Sequence, residues 1–143
     1  MFEYPDKVTQ RLVDEISYGI IGCAIEVHKE LGPGLLESIY EECMIIEMSR
    51  LKINFKSQVP IELNYKGQAI NKIYKADLIV EDLVVVELKA MNSLMPIHEA
   101  QLLTYLKLFK KPKGLLINFN TTNISKSLIS LVSKYYEKLD STL

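Results

Sequence analysis

Two short apolar runs flanking an acidic pair constrain this chain more than any other feature: Leu78-Ile79-Val80, then Glu81-Asp82, then Leu83-Val84-Val85-Val86. Runs this short read as strands, and apolar side chains at successive positions mean burial on both faces. A sheet buried on both faces needs helices on both sides, so the pattern predicts an α/β layered domain with a mixed sheet.

The flanking sequence supplies the layers. Leu12, Ile16, Ile20, Cys23, Val27 and Leu31 recur at spacings of three and four, one buried stripe of a long helix over residues 6–31. Gly32-Pro33-Gly34 ends it. A second helix is expected over residues 36–51, with Leu36, Ile39, Tyr40, Cys43 and Ile46 as its apolar face. Residues 54–65 alternate in places (Ile61, Leu63, Tyr65), and Pro60 marks an edge strand or a break. Lys66-Gly67 reads as a turn into a second strand over 68–80, and 83–89 form a third. A helix over 97–109 follows, with Pro96 near its first turn and Leu102, Leu103, Leu106 and Phe109 on its apolar side. A short strand over 114–119 and a last amphipathic helix over 124–139, capped by Asn123, complete the order α α β β β α β α.

The 143 residues amount to a single domain, with no repeat or low-complexity linker dividing them. A net charge of −1 argues against a protein that coats nucleic acid by bulk charge, while leaving room for one local basic groove. Cys23 and Cys43 lie in helical patterns without metal-binding spacing, so two reduced thiols and a cytoplasmic location are expected. The first seven residues show no targeting pattern, and no apolar run is long enough to span a bilayer.

The chemistry is concentrated at Glu87-Leu88-Lys89. Side chains two apart on a strand share a face, so Glu87 and Lys89 point together. Alone they read equally as a strand end with solvated charges. Asp77, on the preceding strand, changes that balance. A two-residue turn would pair Val80 with Leu83 and set Asp77 opposite Val86, facing away from Glu87. One further turn residue, or a bulge, sets Asp77 opposite Glu87. We predict the second register, which gathers two carboxylates and an ammonium at one end of the sheet. Such a group suits Mg²⁺ or Mn²⁺, held by Asp77, Glu87 and the Leu88 carbonyl. Lys89 would orient or deprotonate a water, or stabilise charge in the transition state.

The D-x(n)-E-x-K skeleton on adjacent strands resembles the PD-(D/E)XK nuclease superfamily. Gly34-Leu35-Leu36-Glu37-Ser38-Ile39-Tyr40 matches the name-giving motif of its GxxExxY family. Further matching stretches are Gln58-Val59-Pro60, Tyr65-Lys66-Gly67, Ala76-Asp77-Leu78, Glu87-Leu88-Lys89-Ala90, His98-Glu99-Ala100-Gln101 with the residues after it, and Gly114 to Phe119. Ala76 stands where the superfamily's name has proline, a position that varies across it.

The resemblance implies a restriction-endonuclease-like core and a metal-dependent nuclease hydrolysing phosphodiester bonds of DNA. It adds Glu37 to the metal set, although a glutamate in a helix's first turn also simply complements the dipole. Tyr40 would pack under Glu37 or hydrogen-bond it. Gln101 and Tyr105, four apart on one helix face, resemble the Q-x-x-x-Y motif of exonuclease branches, where it helps bind DNA. His98 would sit near the metal or cap its helix, whereas His28 reads as structural. Lys107, Lys110, Lys111 and Lys113 would contact phosphate or meet the helix C-terminus. Lys66, Lys72 and Lys75 form a second patch, interleaved by Tyr65 and Tyr74, which read as packing. The alternatives are a structure-specific, junction-resolvase-like endonuclease and a non-catalytic nucleic-acid- or protein-binding module. A homodimer or a subunit of a larger complex is compatible with any of them.

Overall fold

The computed structural model describes residues 7–141, without the side chains of Lys72 and Ile73. Asp6, the first residue assigned to a helix from the sequence, and most of the segment read for targeting lie outside the described residues, as does the Lys72 side chain of the second lysine patch.

The first helix, α1 (Gln10–Leu31), starts at Thr9, whose hydroxyl accepts the Leu12 amide, and stops at Gly32 with φ 67°. Its stripe is buried from Leu12 to Val27 as the spacing requires, whereas Leu31, at the helix end, is exposed. The second, α2 (Glu37–Arg50), has a different inner face from the one expected. Tyr40, Met44 and Met48 are fully buried, whereas Leu36, Ile39 and Ile46 are exposed. The two faces share Tyr40 and differ in rotation, and the flexible methionines fill the space against the sheet.

Strands β1 (Phe55–Tyr65), β2 (Gln68–Val80), β3 (Val84–Lys89), β4 (Lys113–Asn118) and β5 (Ile129–Val132) form one sheet in sequence order. All neighbours are antiparallel except β3 and β4, which the helix α3 (Pro96–Phe109) connects as a parallel crossover. β1 is an edge strand, which accommodates Pro60. One core, from α1, α2 and one sheet face, contains Leu78, Val80, Val84, Val86 and Leu88. The other lies under α3 and contains Ile79, Val85, Leu102, Leu106 and Leu116. No helix among the described residues is long and apolar enough to cross a membrane.

The expected last helix over 124–139 is corrected. Its residues form α4 (Ile124–Ser127), β5 and α5 (Lys134–Glu137). Ile124, Leu128, Leu131 and Tyr135 fit a helical spacing, but Ile129 and Leu131 also alternate with Ser130 and Val132. The alternation wins because β4 has an open edge that a strand satisfies, while Ile129 and Leu131 pack on the α3 core. Asn123 does cap, with its side chain accepting the Lys126 amide, but the helix lasts one turn. Ser133 caps α5 by accepting the Tyr135 amide.

Gly114 lets α3 lie close on β4. A Cβ there would meet the Leu102 side chain at 2.8 Å, and Leu102 is fully buried. Gly114→Ala is expected to cost about 1–3 kcal/mol, the usual penalty of overpacking, read as a lower denaturation midpoint at unchanged slope.

Candidate active site

The turn between β2 and β3 holds three residues, with Val80 paired to Val84, Ile79 to Val85 and Leu78 to Val86. Glu81 and Asp82 both take positive φ, 51° and 59°, and the Glu81 amide is anchored on the Asn54 carbonyl at 2.8 Å. The longer turn carries Asp77 to the position opposite Glu87. The regular ladder ends there, and the two carboxylates take over from it. The Asp77 amide donates to Glu87 Oε1 at 3.0 Å, and the Leu88 amide donates to Asp77 Oδ2 at 2.8 Å. Each acid is thus fixed by the backbone of the neighbouring strand at the point where the sheet splits.

The split has a cause on β1. Phe55, Leu78 and Val80 face the α1/α2 core, yet Val59, Ile61 and Ala76, which strict alternation would put on the same face, lie in the α3 core. The change of face falls between Ser57↔Leu78 and Val59↔Ala76, at the level of Gln58 and Asp77. Gln58 has φ 51°, the left-handed region that a non-glycine residue adopts at a cost. Its side chain bridges two carboxylates, donating to Glu41 Oε1 at 2.7 Å and making a longer contact of 3.5 Å to Asp77 Oδ1.

The site is strongly acidic. Glu87 is buried, and burial first, then the Asp77 charge, push its carboxyl up to about 8. Burial also raises Asp77, against the Leu88 amide and Lys89, which lower it. Glu37, in the first turn of α2, is raised by burial, with Lys89 pulling down and Asp77 pushing up. Glu41, one turn further on, is raised by burial, opposed by its Gln58 hydrogen bond and reinforced by Asp77 and Glu37. Asp77, Glu87 and Glu37 therefore share the charge of Lys89, and Glu41 joins them through Asp77 and Glu37.

The structure places the other sequence-derived candidates as follows. Gln101 Nε2 donates to the Tyr105 hydroxyl at 3.0 Å. Tyr105 is buried, and burial and then Glu87 raise its phenol, so the Gln101–Tyr105 pair lies beside the acids. His98 Nδ1 accepts the Met95 amide at 2.9 Å, which leaves the neutral ring's proton on Nε2. Gln101, Tyr105 and His98 line, with Lys89, an open groove of about 570 Å³ between α3 and the β1–β2 hairpin.

Of the two roles expected of Tyr40, the hydrogen bond to Glu37 is not the one its hydroxyl makes. Its hydroxyl donates to the Gly32 carbonyl at 2.7 Å and accepts the Leu35 amide at 3.2 Å, and its ring stacks on Phe119 at 4.4 Å. The Phe119 amide in turn donates to the Lys89 carbonyl at 2.8 Å. Tyr40 thus secures the loop that launches Glu37 and the backbone that carries Lys89.

The lysine cluster lies at the C-terminal end of α3, away from the acids of the site. Lys113 pairs with Val84, at the opposite end of β3 from Lys89, five residues or about 17 Å away. Lys113 bonds Asp14 at 3.0 Å and Lys111 bonds Asp82 at 2.8 Å. Lys107 and the cap residue Lys110 lie toward that same far end of α3. The structure does not bring these lysines to the carboxylates. His28 Nε2 contacts the Thr121 carbonyl at 2.7 Å, a structural tie. Burial drives the Cys23 thiol up to about 11, which keeps it inert.

Sequence reasoning missed three residues. Glu41 is four after Glu37, a spacing that puts both on one helix face. Gln58 stood in a matching stretch, but its backbone strain has no sequence signal. Asn118 is buried and ties the segment after β3 down. Its Oδ1 accepts the Met91 amide at 3.1 Å, and its Nδ2 donates to the Met91 carbonyl at 2.8 Å.

A mixed sheet with helices on both faces, split where an acid–acid–lysine group sits, is a restriction-endonuclease-like architecture. A family model described as the PD-(D/E)XK nuclease superfamily matches residues 14–130, and the chain belongs to that superfamily. Among solved structures, the crystal structure of SSO0001 is similar in fold, with a TM-score of 0.54 at 19% identity over 96% of this chain and 75% of that one. No curated protein matches the chain. Superfamily membership implies a nuclease-type function on nucleic acid, in a group that generally uses divalent metals.

Proposed function

We propose that this protein is a Mg²⁺- or Mn²⁺-dependent DNA nuclease, exonuclease-like, of the GxxExxY branch of its superfamily. The observation that carries the reading is the mutual backbone anchoring of Asp77 and Glu87 beside Lys89, with Gln101 and Tyr105 on the same groove.

The residues fit a divalent cation. Burial is the first cause of the raised proton affinities of Asp77, Glu87 and Glu37, and repulsion among the acids adds to it at Glu87 and Glu37; a bound cation would offset both. The N–H and C=O of one strand residue point to the same side. Since the Leu88 amide faces Asp77, its carbonyl faces the split as well. Among the described residues no three His, Cys, Asp or Glu side chains close into a ready cage. A hard ion at this split would therefore need two carboxylates, a carbonyl and waters, with substrate phosphate completing its shell. Asp77, Glu87 and the Leu88 carbonyl would hold the ion, with Glu37 reaching it through water. The bound ion would supply a Lewis acid for the phosphodiester and a more acidic water.

The chain's own residues do the rest. Lys89 holds its ammonium between the acids and the groove, where it orients the attacking water and offsets charge developing on phosphate. Gln101, fixed by Tyr105, presents its amide to the strand being cut. Gln58 holds Glu41 against the outer side of Asp77. The spacing of Glu37 and Tyr40 also acquires a reason, because the tyrosine's bonds to Gly32 and Leu35 fix the loop that begins the glutamate's helix.

The test is cleavage of end-labelled DNA with Mg²⁺ or Mn²⁺, beside an EDTA control. Metal-dependent release of mononucleotides from an end is expected. A ladder of internal cuts would replace the exonuclease reading with an endonuclease, and no cutting together with no calorimetric metal binding would reject the enzyme.

A further inference from the structure

The groove beside Lys89 is built unlike a channel for a duplex. Its walls are Ile61 and Leu63 of β1, Tyr74 of β2, and Ile97 and Leu108 of α3. Among the described residues that line it, Lys89 is the one lysine or arginine. A duplex docks mainly through many phosphate contacts to Lys and Arg, whereas an unpaired base needs an aromatic or apolar face near one polar anchor. Tyr74 provides that face. It is 51% exposed although it sits within a paired strand, opposite Ile61. The change of face at Gln58 and Asp77 is what brings this part of the hairpin to the α3 side, so the strain at Gln58 and the groove have one origin. Gln101, Thr104 and His98 add hydrogen-bonding groups along the α3 wall.

From this we infer that the groove is a nucleobase subsite, in which an unpaired base of the strand being cut lies against Tyr74 while its phosphate reaches Lys89. The inference rests on the nuclease reading and narrows its substrate to single strands or frayed ends. The groove is continuous with the catalytic cluster through Lys89 and Tyr105, so a nucleotide spans both without leaving the surface. Tyr105 sits at the junction, its hydroxyl held by Gln101 and its phenol sensing both Glu87 and Tyr74.

The experiment compares wild type, Tyr74→Phe and Tyr74→Ala on a single strand, the same strand in a blunt duplex, and a single strand with abasic sites next to the cut. Tyr74 is exposed, so neither variant should unfold, which circular dichroism verifies. The single strand is expected to be cut faster than the duplex. Tyr74→Ala should lose roughly 10- to 100-fold in kcat/KM on it, mostly through KM, as loss of one base–aromatic stack predicts. Tyr74→Phe should retain most of the activity. The abasic strand should be poor for wild type, and Tyr74→Ala should worsen it no further. A preference for the blunt duplex, or single-strand cleavage indifferent to Tyr74→Ala, overturns the subsite and leaves the nuclease standing. If wild type cuts nothing, the nuclease reading fails, and fluorescence of a 2-aminopurine strand with Ca²⁺ decides the subsite alone. Quenching lost in Tyr74→Ala supports it, and no quenching overturns it.

Discussion

Lys89→Ala is expected to lose DNA cleavage by about 10³-fold or more while keeping its affinity for divalent metal. The reasoning starts from where the ammonium sits. Lys89 ends β3 on the same side as Glu87 and lowers the proton affinity of Asp77, Glu87 and Glu37, so its charge reaches all three acids. A group so placed, which orients water and stabilises charge on the phosphoryl oxygens, contributes ~10²–10⁴ in rate. It repels a cation rather than holding one, so its removal should leave Mg²⁺ affinity unchanged or tighter. Lys89→Arg should not restore the rate, because a guanidinium is bulkier, planar and always charged. Kinetics on a labelled strand and calorimetry with Ca²⁺ are the two readouts. Wild-type rates in Lys89→Ala would remove the lysine from the mechanism. Joint loss of rate and metal binding would mean that the substitution had disturbed the split itself.

Much of this arrangement was legible in the sequence, for reasons that differ by element. The β2–β3 hairpin announced itself because strands buried on both faces leave few polar positions, so Asp77, Glu87 and Lys89 stood out. Choosing the longer turn required asking which register would bring the charges together, and Glu81 and Asp82 accept the positive φ that it demands. The rotation of α2 was harder to read. Apolar residues are spread around that helix, and Met44 and Met48 are fully buried while Cys43 packs only at the core's margin and Ile46 is exposed. The last segment misled because its apolar residues satisfy both periods, and the open edge of β4 decides between them, a tertiary fact with no local signal. The lysines near the end of α3 sit at the helix C-terminus, one of the two roles expected of them, and Lys111 and Lys113 pair with acids there. Once the parallel crossover is drawn, Lys113 falls beside Val84 and away from Glu87. Tyr74 lay in the sequence as a packing residue because aromatics in strands usually are. The twist at Gln58, which exposes it to the groove, is a backbone property that composition does not carry.

Glu87→Gln should abolish cleavage and, in the absence of metal, make the protein more stable. Glu87 is 5% exposed, and burial, reinforced by Asp77, raises its carboxyl to about 8 in the folded chain. Unfolded, it titrates like an ordinary glutamate, near ~4.3. Between those two values the folded protein holds a proton that the unfolded chain has released. Stability of the metal-free protein therefore falls as pH rises through that window, and its full value is present only below it. Glutamine keeps an oxygen to accept the Asp77 amide and carries no charge to bury. At pH 8 the variant should exceed wild type by on the order of 2 kcal/mol, or about 5 °C in Tm, and at pH 4 the two should converge. Added Mg²⁺ should raise the Tm of wild type at pH 8 and leave the variant nearly unchanged, since only the carboxylate gives the ion its second acidic ligand. A variant no more stable than wild type at pH 8 would mean that Glu87 is already charged and compensated without a cation, and that the acidic split is not strained toward binding one. A variant stabilised as expected but still responsive to Mg²⁺ would move the second acidic ligand from Glu87 to Glu37 or Glu41, the carboxylates that α2 holds over the same opening.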